Sequence, residues 1–291
     1  MRGFSSIAML AAGSLAAAAD SSSAATPSCA DGLYMVVARG SLEPPGPGSA
    51  GVVTAQVQKK IPGSVVASVD YPATLDDYEN SETDGVTAIH GLLDAYGKAC
   101  PSSLMAIIGY SQGAQIGMDA VCGGIGGFFT SQAPVSSAIL DNIVAVNVFG
   151  DPTHIPNLPY DVGTSVKKGI FQRNSTANCL KSKDKIISFC DTGDIYCDGG
   201  SNLTTHHIYI DKYGSQMVDF IVDKYNTAKG AASGGSNTTP PSGTGTKPTS
   251  GAKPTSTGPA PNAAGPAMMA PPASLLGAAV LVVVTSALSS L

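Results

Sequence analysis

The chain has 291 residues, with 16 Lys and Arg against 21 Asp and Glu and a formal net charge of −5. This mild acidity, without a basic stripe, argues against nucleic acid as a partner. Histidine is scarce and no Cys-x-x-Cys pair occurs, which argues against a structural metal site.

The N-terminus is an address. Arg2 is followed by an apolar stretch from Ile7 to Ala19 that is bounded by small residues and too short to span a bilayer. Residues 1–19 are therefore expected to be a secretory signal peptide, cut near Ala18 or Ala19. Residues 20–226 are long enough for one domain with its own core. Residues 227–262 are mostly Ser, Thr, Gly and Pro, with Lys as the only charge. Such a segment has too little apolar surface to offset chain entropy, and it is expected to be an extended, O-glycosylated stalk. Residues 263–291 begin with small residues, pass through a spacer at Pro266–Pro272 and end in the uncharged run Leu275–Leu291. That order is the signal for attaching a GPI anchor, with Asn262 the expected attachment residue and Ala263 or Gly265 close behind. A retained tail anchor is the alternative, though a tail of about 17 residues barely crosses a bilayer. The mature protein is thus expected at the cell surface, on the plasma membrane or wall, as a monomer that meets the membrane only through its anchor.

All six cysteines, Cys29, Cys100, Cys122, Cys179, Cys190 and Cys197, lie in the 20–226 region. An even number in an exported chain predicts disulfides and leaves their pairing open. Acceptor triplets at Asn174, Asn202 and Asn237 predict N-glycosylation in the same compartment.

Within the domain, apolar runs alternate with helical periodicity. Strands are expected at 33–38, 64–69, 104–109, 142–149 and 185–189, and helices at 49–60, 78–99, 112–121 and 214–225. This order predicts an α/β fold, a three-layer α/β/α sandwich with a doubly wound, mostly parallel sheet of about five strands. Sites in such sheets form at the carboxyl ends of strands, here just after Ala38, Gly109, Phe149 and Phe189.

Gly109-Tyr110-Ser111-Gln112-Gly113 stands at one of those ends and matches the nucleophile elbow G-x-S-x-G. A sharp strand-to-helix turn strains the serine backbone, glycine on either side gives room for close approach, and the helix N-terminus favours an oxyanion. A nucleophilic serine needs a base and an orienting carboxylate, which in this fold class follow it in the order acid, then histidine. His90 precedes Ser111 and lies in a helix, leaving His154, His206 and His207 as candidate bases.

The motifs Ala38-Arg39-Gly40-Ser41-Leu42-Glu43-Pro44, Gly109-Tyr-Ser-Gln-Gly-Ala114 and Gly150-Asp151-Pro152 form an ordered set. Cys190-Asp-Thr-Gly-Asp194-Ile-Tyr-Cys197 and His206, with Tyr209 and Tyr213-Gly214 downstream, complete it. Together they resemble the fungal cutinases and their acetylxylan esterase relatives, over about Cys29 to Tyr225. The resemblance implies a small α/β-hydrolase with a triad of Ser111, Asp194 and His206, in preference to the rivals Asp191 and His207. It implies an oxyanion hole from the Gln112 and Ser41 N–H groups, the Ser41 hydroxyl adding a third donor. It also implies bridges Cys29–Cys100, Cys122–Cys179 and Cys190–Cys197, the last closing the loop that holds Asp194. The chemistry would be that of a serine carboxylic ester hydrolase and requires no cofactor and no metal.

The stretch between Cys197 and His206 is polar, with Leu203 its only sizeable apolar residue, and is closer to acetylxylan esterase than to cutinase. A polar rim suits a short acyl group on a sugar, against which Tyr196 would pack, so acetyl groups on xylan-type polysaccharide are the expected substrate. The alternatives are cutin or longer-chain esters, and a non-catalytic wall glycoprotein or adhesin that keeps the fold without the chemistry. The chain lacks the extra cysteines of the acetylxylan esterases and contains no Trp, which excludes a Trp platform for sugar.

Overall fold

The computed structural model describes residues 28–127, 129 and 131–234. The signal segment 1–19, Asn237, Asn262 and the tail 263–291 lie outside the described residues.

Six strands form one sheet: β1 (Tyr34–Ala38), β2 (Val65–Ser68), β3 (Met105–Tyr110), β4 (Ile143–Phe149), β5 (Asp161–Val162) and β6 (Ile186–Phe189). Their order is β2-β1-β3-β4-β6-β5, and every pairing is parallel. Strands β1, β3 and β4 are buried at every position, as largely apolar runs covered on both faces should be, the polar exception being Asn147 in β4, whose Nδ2 donates to Met217 O at 3.2 Å. Alternation along each strand divides the core in two. On one face Val36, Met105, Ile107 and Val146 pack under α2 (Tyr78–Ala99) and α3 (Gln112–Cys122). On the other, Met35, Val37, Ile108 and Phe149 pack under α1 (Gly51–Lys60) and the C-terminal helix, labelled α7 below. The three layers are the expected ones, with one strand more than the pattern indicated. Two-residue β5 is too short to carry an alternation signal.

Three short helices also escaped the pattern: α4 (Ser137–Asn142), α5 (Ala177–Lys181) and α6 (Leu203–His207). Asn142 ends α4, so the following strand begins at Ile143. The last helix, α7, spans Tyr209–Gly234, starting earlier and ending later than the expected 214–225. Gly214 lies buried inside this helix, where a Cβ would meet Ile210 Cγ2 at an ordinary 3.9 Å. The helix therefore continues eight residues past Asn226, into the segment expected to be stalk.

The register aligns the carboxyl ends of the strands. Ala38 pairs with Gly109, Tyr110 with Phe149, and Phe149 with Phe189. Loops leaving these four ends therefore share one edge of the sheet. The Cys190–Cys197 disulfide closes the loop just after β6 at this edge, while Cys29–Cys100, ahead of β1 and β3, and Cys122–Cys179, from the end of α3 to α5, tie elements toward the amino ends of the strands.

Candidate active site

Ser111 is the single residue between β3 and α3, at φ 53° and ψ −118°. A side chain in this left-handed region stores about 1–3 kcal/mol of strain and persists only when its surroundings impose it. Here they do. The Ser111 N–H donates to Phe149 O at 3.0 Å, and its carbonyl accepts from the N–H groups of Ala114 and Gln115 at 2.9 and 3.2 Å. At position 113 only glycine fits, because a Cβ would lie 2.1 Å from the Ala38 carbonyl oxygen. The helix N-terminus is thereby pressed against the end of β1, with Ser111 standing out of the turn.

Facing it is His206, on α6. Asn202 caps that helix, its Oδ1 accepting from the Thr205 N–H at 3.3 Å. His206 Nε2 lies 2.8 Å from Ser111 Oγ, and Nδ1 lies 2.8 Å from Asp194 Oδ2. The glycine of Gly150-Asp151-Pro152 makes room for this ring: a Cβ on Gly150, at φ 64°, would lie 2.7 Å from His206 Cε1.

Asp194 is fully buried. Burial alone would raise its pKa, but the hydrogen bonds from His206, the Tyr209 hydroxyl and the Cys197 amide outweigh it and hold the carboxyl below the ordinary range. Oδ1 accepts from the N–H groups of Tyr196 at 2.7 Å and Cys197 at 3.0 Å, and Oδ2 accepts from Tyr209 O–H at 2.6 Å. An ionised Asp194 only accepts, so His206 Nδ1 carries the ring proton and Nε2 turns its lone pair toward Ser111. Burial, with the neighbouring Asp194 charge, drives the Tyr209 hydroxyl well above its ordinary pKa, so it remains a donor.

The rival groups are occupied elsewhere. Asp191 accepts from Lys212 Nζ at 2.7 Å and Tyr213 O–H at 2.9 Å. His207 is exposed, with Nδ1 3.0 Å from the Tyr110 hydroxyl. His154 is buried, Nδ1 3.8 Å from Asp161 Oδ1, and burial lowers its pKa. His90, half-buried on α2, is likewise lowered by burial.

Gln112 opens α3 and is fully buried, and Ser41 follows β1, its hydroxyl donating to Gln112 Oε1 at 3.2 Å. The loop carrying Ser41 is braced by two residues to which the sequence reading gave no role. The Arg39 guanidinium donates to the carbonyls of Glu43 at 2.9 Å, Val69 at 3.3 Å and Tyr71 at 2.6 Å. The Glu43 carboxylate accepts from Gly40 N–H at 2.6 Å and Ser49 N–H at 2.8 Å. The motif around Ser41 was visible, but the partners that give Arg39 its work lie about thirty residues downstream, beyond any local pattern.

Ser111, His206 and Ser41 open into a cleft of about 550 Å³. Tyr196 lines it, its ring 4.6 Å from that of His206. The expected polar rim is not what surrounds this cleft. Leu42, Leu75, Ile170 and Leu203 all line it and are 73%, 43%, 46% and 49% exposed. The Cys197–His206 stretch is polar as read, but the rim is assembled from three other loops, whose apolar residues are scattered along the chain.

Comparisons with known proteins agree with this geometry. The family model described as cutinase matches residues 28–225. Acetylxylan esterase 2 of Talaromyces purpureogenus is 34% identical over 202 residues, covering 66% of this chain and 86% of that protein. Cutinase 11 of Verticillium dahliae is 32% identical over 205 residues, covering 67% and 69% respectively. A solved acetylxylan esterase at 0.90 Å resolution superposes with a TM-score of 0.65 at 34% identity, covering 68% of this chain and all of that one.

Proposed function

The chain belongs to the cutinase family and is a serine carboxylic ester hydrolase, and from that premise we propose that Ser111, His206 and Asp194 carry the reaction on short-chain acyl esters, acetyl groups on a xylan-type polysaccharide foremost. The observation that carries the reading is the unbroken line from Ser111 Oγ through His206 to Asp194, 2.8 Å at each step, at the floor of a cleft.

In this reading Ser111 Oγ attacks the ester carbonyl carbon as its proton passes to His206 Nε2. Asp194 stabilises the imidazolium through Nδ1, and the N–H groups of Gln112 and Ser41 hold the oxyanion. The carbonyl re-forms, the ester C–O bond breaks, and His206 returns the proton to the departing alcohol oxygen. Water, deprotonated by His206, then attacks the acyl-enzyme and releases the acid. The set needs no cofactor and no metal.

The acetyl reading is supported by the relatives named acetylxylan esterase and by the polar stretch from Asp198 to Thr205 beside Tyr196. A second reading, cutin or another long-chain ester, is favoured by the apolar rim, which offers an acyl chain a dry path to Ser111. Hydrolysis of p-nitrophenyl esters from acetate to palmitate by the full-length protein, followed by acetate release from acetylated xylan, separates them. We expect turnover to peak at acetate or butyrate and acetate to appear from xylan. A peak at long chains, with no release from xylan, would overturn the acetyl reading and leave the second.

The protein is further proposed to work outside the cell as a monomer, anchored through Asn262 and glycosylated at Asn174, Asn202 and Asn237. The exposure of Asn174 and Asn202 supports the glycan part. Treating intact cells with a phosphatidylinositol-specific phospholipase is expected to release the protein, and retention on the treated cells would count against the lipid anchor.

A further inference from the structure

The resemblance already implies the Ser41 hydroxyl as a donor of the oxyanion hole; resting on the esterase reading above, we propose that Ser81, on α2, is the positioning residue that lets that hydroxyl turn from Gln112 to the oxyanion. The argument starts from the Gln112 side chain, which is fully buried. Its Nε2 donates to the carbonyls of Tyr78 at 3.3 Å and Thr74 at 3.4 Å. Its Oε1 accepts from two hydroxyls, Ser41 Oγ at 3.2 Å and Ser81 Oγ at 3.3 Å. Ser81 is itself buried, and its Oγ also accepts from the Thr74 N–H at 3.2 Å.

A hydroxyl has one proton. While Ser41 gives it to Gln112 Oε1, the same proton cannot reach an oxyanion. Ser41 is partly exposed and shares the cleft with Ser111, so its O–H can turn toward the substrate once charge develops there. A bond to an anion is about twice as strong as one to a neutral carbonyl, which drives the turn. A buried carbonyl left without a donor would oppose it. Ser81 removes that opposition, because Gln112 Oε1 keeps its second hydroxyl when the first departs. The Ser41 contribution thus appears only in the transition state, and it is expected in kcat and not in KM.

The test is a double-mutant cycle in the full-length protein with p-nitrophenyl acetate. Ser41→Ala is expected to lower kcat by about 10–100-fold with KM little changed. Ser81→Ala is expected to lower kcat by about 3–10-fold when Ser41 is present, and by less than about twofold in the Ser41→Ala background. Ser81→Thr, which keeps the hydroxyl, is expected to restore kcat. An equal loss from Ser81→Ala in both backgrounds would mark Ser81 as merely structural and overturn the proposal, as would no loss beside an intact Ser41. If Ser81→Ala does not fold, Ser81→Cys enters the same cycle with the same two readings. Wild-type turnover that vanishes in Ser111→Ala keeps the esterase reading standing whichever way the cycle falls.

Discussion

Replacing Ser111 with alanine is expected to lower kcat for an activated ester by about a millionfold, and His206→Ala by a similar factor. The two losses are not expected to add. Once Oγ is gone there is nothing for Nε2, 2.8 Å away, to deprotonate, and without Nε2 the hydroxyl is a poor nucleophile. What survives in either variant is binding and oxyanion stabilisation, which give a residual rate about 10³–10⁴ above water. His207→Ala is the matched control. Its exposed ring meets the Tyr110 hydroxyl, not Ser111, and its loss is expected to cost less than about tenfold. Steady-state kinetics on the three variants distinguish the adjacent imidazoles. A larger loss from His207→Ala than from His206→Ala would reverse the assignment.

The second large effect belongs to Asp194. Asp194→Asn is expected to lower kcat by about 10⁴-fold with the fold retained, because an amide can donate to Nδ1 and so move the ring proton to the face that must accept from Ser111. The same carboxylate contributes to stability. Its pKa in the folded protein is depressed by its donors against the effect of burial, so the folded state releases the proton more readily than the unfolded one. The stabilisation is therefore fully present above the ordinary carboxylate range of about pH 4 and is lost as the pH falls through the depressed value. Thermal melts of wild type and Asp194→Asn are expected to differ most near neutrality and to converge in acid. A gap that stays constant with pH would show that the ionised carboxylate is not what holds the loop.

Much of this site can be read from contiguous residues, and the parts that cannot share a physical cause. The elbow is legible because strand, turn and helix follow one another, and Gly113 announces the close approach to β1 that the structure shows. The layer architecture is legible because β1, β3 and β4 are buried on both faces and so are apolar almost throughout, Asn147 in β4 excepted. The choice between His206 and His207 is not legible from spacing, since both ride on one five-residue helix. It depends on the hollow above Gly150 and on where the Asn202 cap sets that helix. Tyr209 stands out in the sequence only as part of a motif, yet its hydroxyl donates to Asp194 and accepts from the Asp191 N–H at 3.0 Å, tying the start and the middle of the acid loop to α7. The apolar rim is not legible because the composition of one stretch of chain is not the composition of a surface built from several. Leu42, Leu75, Ile170 and Leu203 become neighbours only when four loops meet at one sheet edge.

The central claim is that Ser111 is an activated nucleophile and that the protein is not a binding glycoprotein keeping only the shape of an esterase. A serine-reactive phosphonate tests it most directly, with intact-mass measurement and peptide mapping on the full-length protein. We expect about one adduct per chain, located on Ser111, absent from Ser111→Ala and formed far more slowly in His206→Ala. A folded protein that takes up no phosphonate, or takes it up at another residue, would contradict the account.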